Sequence, residues 1–412
     1  MKYVVVLADG MADYPVAELG NKTPLQAACT PMMDRLAQLG TVGLVKTVPE
    51  GMSPGSDTAN LSVMGYDPHQ YYTGRSPFEA ISIGIPMSDA DVSFRCNLVT
   101  VTEAEPYEEK VIIDHSSGEI TSEESAELIK AVQDKLGQPG LTFFPGISYR
   151  HILLWENGPW DFSMTPPHDI LGQKIGAYQP KGPYGKMFTE MMQQSYDILK
   201  DHPVNLQRKA KGLNPANLIW LWGEGKKPAI QSFKEKYQLK GAVISAVDLI
   251  KGIGLCAGMT SIDVEGATGT YETNYEGKTQ AAIKALESDH DFVYIHLEGP
   301  DECGHRAEIA NKVTAIERID QRVLQPVVEA LQQTNEDFRI LVMPDHATPL
   351  SLRTHTMDPI PFLIYDSRRQ AENQAQIYDE SGAQQTGLLV AEGYALMDHF
   401  LERKSLSMIS RQ

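Results

Sequence analysis

Three short apolar runs each lead into residues of the kind that bind cations. YVVVLA at residues 3–8 runs into Asp9-Gly10, DFVYIHLE at 291–298 runs into GPDECGH, and FRILVMPDH at 338–346 ends on Asp345-His346. Runs of this length, rich in branched residues and bounded by turn formers, read as buried strands. Helix-length segments separate them, and strands buried on both faces belong to a largely parallel sheet covered by helices. Open sheets of that kind bind ligands beyond the carboxyl ends of their strands. The pattern predicts an α/β fold whose central, mostly parallel sheet is flanked by helices and carries its chemistry along one edge.

Taken singly, each motif has a plain alternative. Asp301 and His305 share a face if the chain turns into a helix there, and can then hold one cation. The alternative is a helix cap followed by an ordinary histidine. Asp9 is a ligand or a turn former. In PEGMSPGSDTANLSVMGYDP, residues 49–68, a Pro- and Gly-rich loop gives way to a short helix. Ser56 and Asp57 then sit at a helix N-terminus, where free N–H groups hold a phosphate or an oxyanion and a serine can act as nucleophile. Either residue could instead simply cap the helix. His355 lies in a loop, RTHT, ahead of a further strand.

At 412 residues the chain exceeds what one core usually serves. From about Ser88 the pattern alternates without intervening helices, the mark of antiparallel strands. Residues 91–203 therefore read as an inserted, smaller α+β cap domain, and residues 1–90 with 204–412 as the core. Thr121 starts a helix in the cap, and GAYQPKGPYGK at 176–186 is a hinge or a surface loop. In the core, 23–39 reads as a helix with two Thr-Pro signals, 42–48 and 218–222 as strands, and 388–403 as a surface helix ending a polar tail that begins at Ser367.

The net charge of −18 argues against nucleic acid or an anionic membrane as partner and is compatible with cation binding. Cys29, Cys96, Cys256 and Cys303 follow no CxxC spacing and read as free thiols of a reducing compartment. Cys303, inside GPDECGH, reads as a small packed residue rather than a ligand. The first residues already form a strand, with no signal-like stretch before it, and no apolar run reaches membrane-spanning length. A cytoplasmic location is expected.

Asp9, Ser56, Asp301, His305, Asp345, His346 and His355 together are too many N and O donors for one structural zinc. They suit a pair of divalent ions, with Mn²⁺ or Zn²⁺ more natural than Ca²⁺ beside three histidines. Such a pair is suited to phosphoryl transfer.

The order Asp9, PGSDTANLSVMGYDP, PDECGH, PDHATP and RTHT resembles the archaeal-type cofactor-independent phosphoglycerate mutases of the alkaline phosphatase superfamily. The likeness extends through FPGISYRH, TPPHD, HPVN, WLWGEG, GAVISAVDLIKGIG and GATGTYETNYEGK, nearly the whole chain. It implies an alkaline-phosphatase-like core and no need for 2,3-bisphosphoglycerate. It also implies that Asp301, His305 and His355 hold one ion while Asp9, Asp345 and His346 hold the other, with Ser56 bridging to it as nucleophile. Mn²⁺ is favoured, with Zn²⁺, Co²⁺ and Mg²⁺ as alternatives. The reaction implied exchanges 3- and 2-phosphoglycerate through a phosphoserine, with the cap keeping water out.

A small anionic, phosphorylated substrate needs positive partners. Arg150, His151 and His168 in the cap and Arg208, Lys226 and Lys251 near the core are the candidates, with Asp57 beside the serine. The cap arginines of the longer bacterial mutases have no match here. Homoserine kinase is the alternative, because bacterial proteins that look like these mutases have been assigned that activity and would share the same ligands. Gly299 and Cys303 stand where such mutases commonly have alanine. A non-catalytic metal-binding protein would be expected to lack Ser56 or a ligand, and none is missing.

Overall fold

The Val-rich run at the start of the chain forms the strand β1 (Lys2–Ala8), and its residues from Val4 to Ala8 have no solvent exposure. Each side chain of that size contributes about 1.5–3 kcal/mol on burial, which fixes β1 in the interior. In this computed structural model, which describes residues 1–369 and 375–404, the chain divides into two compact units. One comprises Met1–Tyr72 with Ile230–Gln412, the other Thr73–Ala229.

The strands that follow β1 are β2 (Thr41–Val45), β3 (Val92–Val101), β4 (Ile112–Asp114), β5 (Leu141–Phe144), β6 (Arg150–Trp155) and β7 (Leu218–Lys226). Then come β8 (Gly241–Ile244), β9 (Thr260–Ile262), β10 (Phe292–Leu297), β11 (Phe338–Met343), β12 (Ile360–Asp366) and β13 (Leu389–Val390). Among the described residues the first unit holds an eight-stranded sheet in the order β13-β2-β12-β11-β1-β10-β8-β9. β1 runs parallel to both β10 and β11, so the ends of these three strands point to one edge. β12 is antiparallel to β11 and to β2. The loop before β12, with His355, and the loop after β2, with Ser56, therefore return to that same edge. Helices pack on the sheet, and one continuous apolar core, from Val4 through Ile295 to Val342, joins them. The sheet is mostly parallel and flanked by helices, as the apolar runs predict.

The second unit has its own core around Phe94, Phe188 and Trp220 and its own five-stranded sheet. β3 pairs antiparallel with β4, β6 and β7. The boundaries differ from 91–203. β7 pairs with β3 rather than entering the large sheet, and the Ser76–Ser82 helix is tied to β3 by the Ser76 hydroxyl, which donates to the Ser93 carbonyl at 2.8 Å. An apolar run such as LIWLW announces burial but not which sheet it joins.

Two helices differ from expectation in the first unit. Residues 23–39 form two, Pro24–Ala27 and Pro31–Leu39, because Ala28 is extended and the residue before Pro31 is driven out of helical geometry. Residues 388–403 contain β13, which pairs with β2, and only a short helix, Leu396–Phe400. The polar tail expected from Ser367 falls partly on 370–374 and 405–412, outside the described residues. Among the described residues no helix is long and apolar enough to cross a membrane.

Candidate active site

β1 ends on Asp9-Gly10, and Gly10 adopts a φ of +61°. A Cβ at Gly10 would come within 2.7 Å of Asp301, so only glycine lets the two loops meet. Its N–H donates to Asp345 Oδ1 at 3.2 Å. Three residues further on, Asp13 accepts from the buried Lys312 ammonium at 2.7 Å, and Lys312 also donates to the Thr348 carbonyl at 2.8 Å. The loops after β1 and β11 are thereby fastened to the Ile309–Ile319 helix behind them.

Asp301 and His305 lie in the Gly299–Arg306 helix, one turn apart, directly after β10. Asp301 Oδ2 is 3.2 Å from His305 Nε2, Asp301 Oδ1 is 3.3 Å from His355 Nε2, and the two imidazole nitrogens are 2.9 Å apart. Donor atoms of Asp301, His346 and His355 also lie within 4.8 Å of one another, as do those of Asp9, Asp345 and His346. His346 thus belongs to two adjoining ligand groups, and its ring stacks on His355 at 3.9 Å.

Ser56 is the first residue of the Ser56–Val63 helix, whose N-cap, Gly55, provides no side-chain cap. The serine hydroxyl lies 3.2 Å from His346 Nε2. Asp57 accepts from the Tyr72 hydroxyl at 2.8 Å and from the Thr58 N–H at 2.9 Å. Neither Ser56 nor Asp57 is the N-cap itself.

These donors fit a pair of cations. Asp9, Asp301 and Asp345 are all buried, and Asp9 Oδ1 is a buried oxygen with no hydrogen-bond partner. Burial, then the nearby Asp345 and Asp301, hold the Asp9 carboxyl well above its usual range. Burying several carboxylates together is costly without positive charge between them. Burial works against a charged His305, yet the hydrogen bond and charge of Asp301 outweigh it and raise His305 to about 9. Burial likewise works against an ionised Asp301, but hydrogen bonds from His305 and His355 hold its carboxyl well below its usual range.

A family of 2,3-bisphosphoglycerate-independent phosphoglycerate mutases matches residues 37–205. A relative from Geobacter sulfurreducens described as a probable 2,3-bisphosphoglycerate-independent phosphoglycerate mutase is 50% identical, over 98% of this chain and 100% of its own length. The Methanosarcina barkeri 2,3-bisphosphoglycerate-independent phosphoglycerate mutase is 47% identical, over 98% of this chain and 100% of its own. The chain belongs to this family. Among solved structures, the cofactor-independent phosphoglycerate mutase of Thermoplasma acidophilum is similar with a TM-score of 0.62 and 27% identity, covering 98% of this chain and 99% of that one. A Pyrococcus horikoshii protein reaches a TM-score of 0.80 at 29% identity, covering 98% of each chain.

The remaining candidates for a mutase substrate site are distributed differently from expectation. Arg208 and Lys226 belong to the inserted unit, not the core. Arg208 is buried, paired with Glu124, and donates to the Asn214 carbonyl at 2.8 Å and the Ser117 carbonyl at 2.6 Å. Its guanidinium is spent on holding the fold. His151 is also interior: its Nδ1 accepts from the Gly146 N–H at 3.0 Å, and burial lowers it to about 3. Lys251, in the first unit, pairs with Asp263 at 2.7 Å. Lys226 lies 5.8 Å from the Trp160 ring. Arg150 is exposed and stacks on Tyr149 at 4.6 Å, and the exposed His168 ring packs on Trp222 at 5.3 Å.

Sequence reasoning missed the groups around the ligands. The Thr348 hydroxyl contacts Asp301 and His346, His296 contacts Asp9, and Asn60 contacts Asp345. A histidine inside the otherwise apolar DFVYIHLE was the available signal for His296, and an amide one turn after Ser56 was the signal for Asn60.

Proposed function

We propose that this chain interconverts 3-phosphoglycerate and 2-phosphoglycerate without 2,3-bisphosphoglycerate, as its relatives are named for doing. Ser56 is the nucleophile in this reading. Asp301, His305 and His355 would hold one divalent ion, and Asp9, Asp345 and His346 the other. Mn²⁺ suits this mixed carboxylate and imidazole set. When bound, the ions would make the serine hydroxyl more acidic and offset charge on the phosphoryl oxygens.

The observation that carries the reading is the serine at an uncapped helix N-terminus, 3.2 Å from a histidine shared by both ligand groups. Ser56 Oγ attacks the phosphorus, and the bond from phosphorus to the substrate oxygen breaks. The helix N–H groups stabilise the phosphoryl oxygens. Bound glycerate turns, its other hydroxyl attacks the phosphoserine, and Ser56 is freed. The glycerate carboxylate requires a cation; of the residues named from the sequence, Arg208 is buried in the fold, while Arg150 and His168 are exposed.

The test supplies Mn²⁺-loaded protein with 3-phosphoglycerate and follows ³¹P resonances, and separately supplies homoserine with a phosphoryl donor. The reading requires 2-phosphoglycerate in the first tube. Phosphohomoserine in the second, with no 2-phosphoglycerate in the first, would replace it with the kinase.

A further inference from the structure

We propose that Asn60 is a positioning residue for Ser56 and Asp345, and that Tyr294 is the group that orients it. Asn60 lies one turn after Ser56 on the same helix, so its side chain falls on the face that carries the serine. It has no solvent exposure. Its Nδ2 donates one hydrogen to the Ser56 carbonyl at 2.8 Å and the other to Asp345 Oδ2 at 2.7 Å. Its Oδ1 accepts from the Tyr294 hydroxyl at 2.6 Å.

The arrangement admits one orientation. A reversed amide would set its oxygen against two acceptors and its NH₂ group against a hydroxyl donor. Tyr294 comes from β10 and is equally buried, so the hydroxyl has no water to turn to. A polar pair of this depth is costly unless every group is matched, and here each is. The result is a fixed link from the strand that precedes Asp301, through one amide, to the backbone of the serine and the carboxylate of Asp345. With Oδ2 of Asp345 taken by Asn60, its Oδ1 accepts from the Gly10 and His346 N–H groups, so the carboxylate cannot rotate. A merely structural asparagine would stabilise the helix, with no special effect on turnover.

The proposal rests on Ser56 as nucleophile, so Ser56→Ala is assayed alongside. Asn60→Ala, Tyr294→Phe and the double variant are compared in the mutase assay, with Mn²⁺ affinity measured by calorimetry and folding by circular dichroism. Asn60→Ala is expected to lower kcat by about 10–100-fold with KM changed by less than about twofold, and to weaken Mn²⁺ binding. Tyr294→Phe is expected to give a smaller loss of kcat, and the double variant no more loss than Asn60→Ala alone. Wild-type kcat in a folded Asn60→Ala variant overturns the proposal, and so do losses that multiply in the double variant. If Asn60→Ala fails to fold, Tyr294→Phe alone decides, and unchanged kcat and Mn²⁺ affinity there reject it. Activity retained by Ser56→Ala would instead reject the nucleophile assignment.

Discussion

Asp9 Oδ2 and His296 Nε2 lie 2.8 Å apart, with both side chains almost wholly removed from solvent. On the other side of the ring, the Ser245 hydroxyl accepts from the Val247 N–H at 2.9 Å and lies 3.1 Å from His296 Nδ1. The ring is thereby held between Ser245 and Asp9. Burial holds His296 down to about 3, so the ring is neutral. One oxygen of Asp9 is thus satisfied by protein and the other is left for an ion. His296→Ala is expected to weaken Mn²⁺ binding by about 10–100-fold, read by calorimetry on the metal-stripped protein. Unchanged affinity would show that Asp9 needs no such partner.

His305 is the most exposed of the candidate ligands, and removing it disturbs no core packing. His305→Ala should fold normally and lose one of its ions, so metal content after dialysis roughly halves. Full metal content in the dialysed variant would remove His305 from the ligand set.

Arg208 tests the difference between a substrate arginine and a structural one. Its donors meet Glu124 and two carbonyls inside the inserted unit. Arg208→Ala should cost about 2–3 kcal/mol of stability, read as a lower thermal midpoint, while KM stays near wild type. A raised KM at unchanged stability would restore the substrate role.

Glu380 supplies the pH prediction. Burial lifts its carboxyl to about 7, against which hydrogen bonds from Thr23 and Asp13 act weakly. The unfolded chain ionises it near the ordinary glutamate value of 4.5, so the folded state binds the proton more tightly. Its contribution to stability is therefore greatest where the folded state is protonated, and declines as pH rises from about 4.5 through about 7. Glu380→Gln removes that decline. The variant should gain about 1–3 kcal/mol relative to wild type at pH 8 and lose most of the gain by pH 5, measured by denaturant unfolding at both. An identical difference at the two pH values would rule out the buried charge as its source.

The parts of the fold legible in advance were those dictated by local composition. Val4 to Ala8 are apolar throughout, Phe292 to Leu297 and Phe338 to Met343 are apolar but for His296 and Arg339, and all three became central strands. The seven residues expected at the site come to one edge of the sheet because the loops that carry them adjoin strand ends on that edge. β7 was misplaced because its nearest partner, β3, lies more than a hundred residues earlier in sequence, and pairing over that distance leaves no local trace. The helix breaks at Ala28, which is extended, and Thr30, directly before Pro31, is non-helical as well. Asn60, Tyr294 and His296 escaped notice because their role lies in what they touch. An asparagine in a helix and a tyrosine in a strand look ordinary until the fold brings them within 2.6 Å.

The large sheet also governs how the protein must be made. β1 is synthesised before the other strands of its sheet, yet its neighbours on either side are β10 and β11, so it waits unpaired until some three hundred residues have followed. Thr73–Ala229, with its own core, emerges in the interval and can fold on the ribosome while β1 cannot. Asp9 meets Asp345 only after more than three hundred further residues have been made. A nascent chain is therefore unable to assemble the Asp9 group, and a truncated product released early carries no working centre.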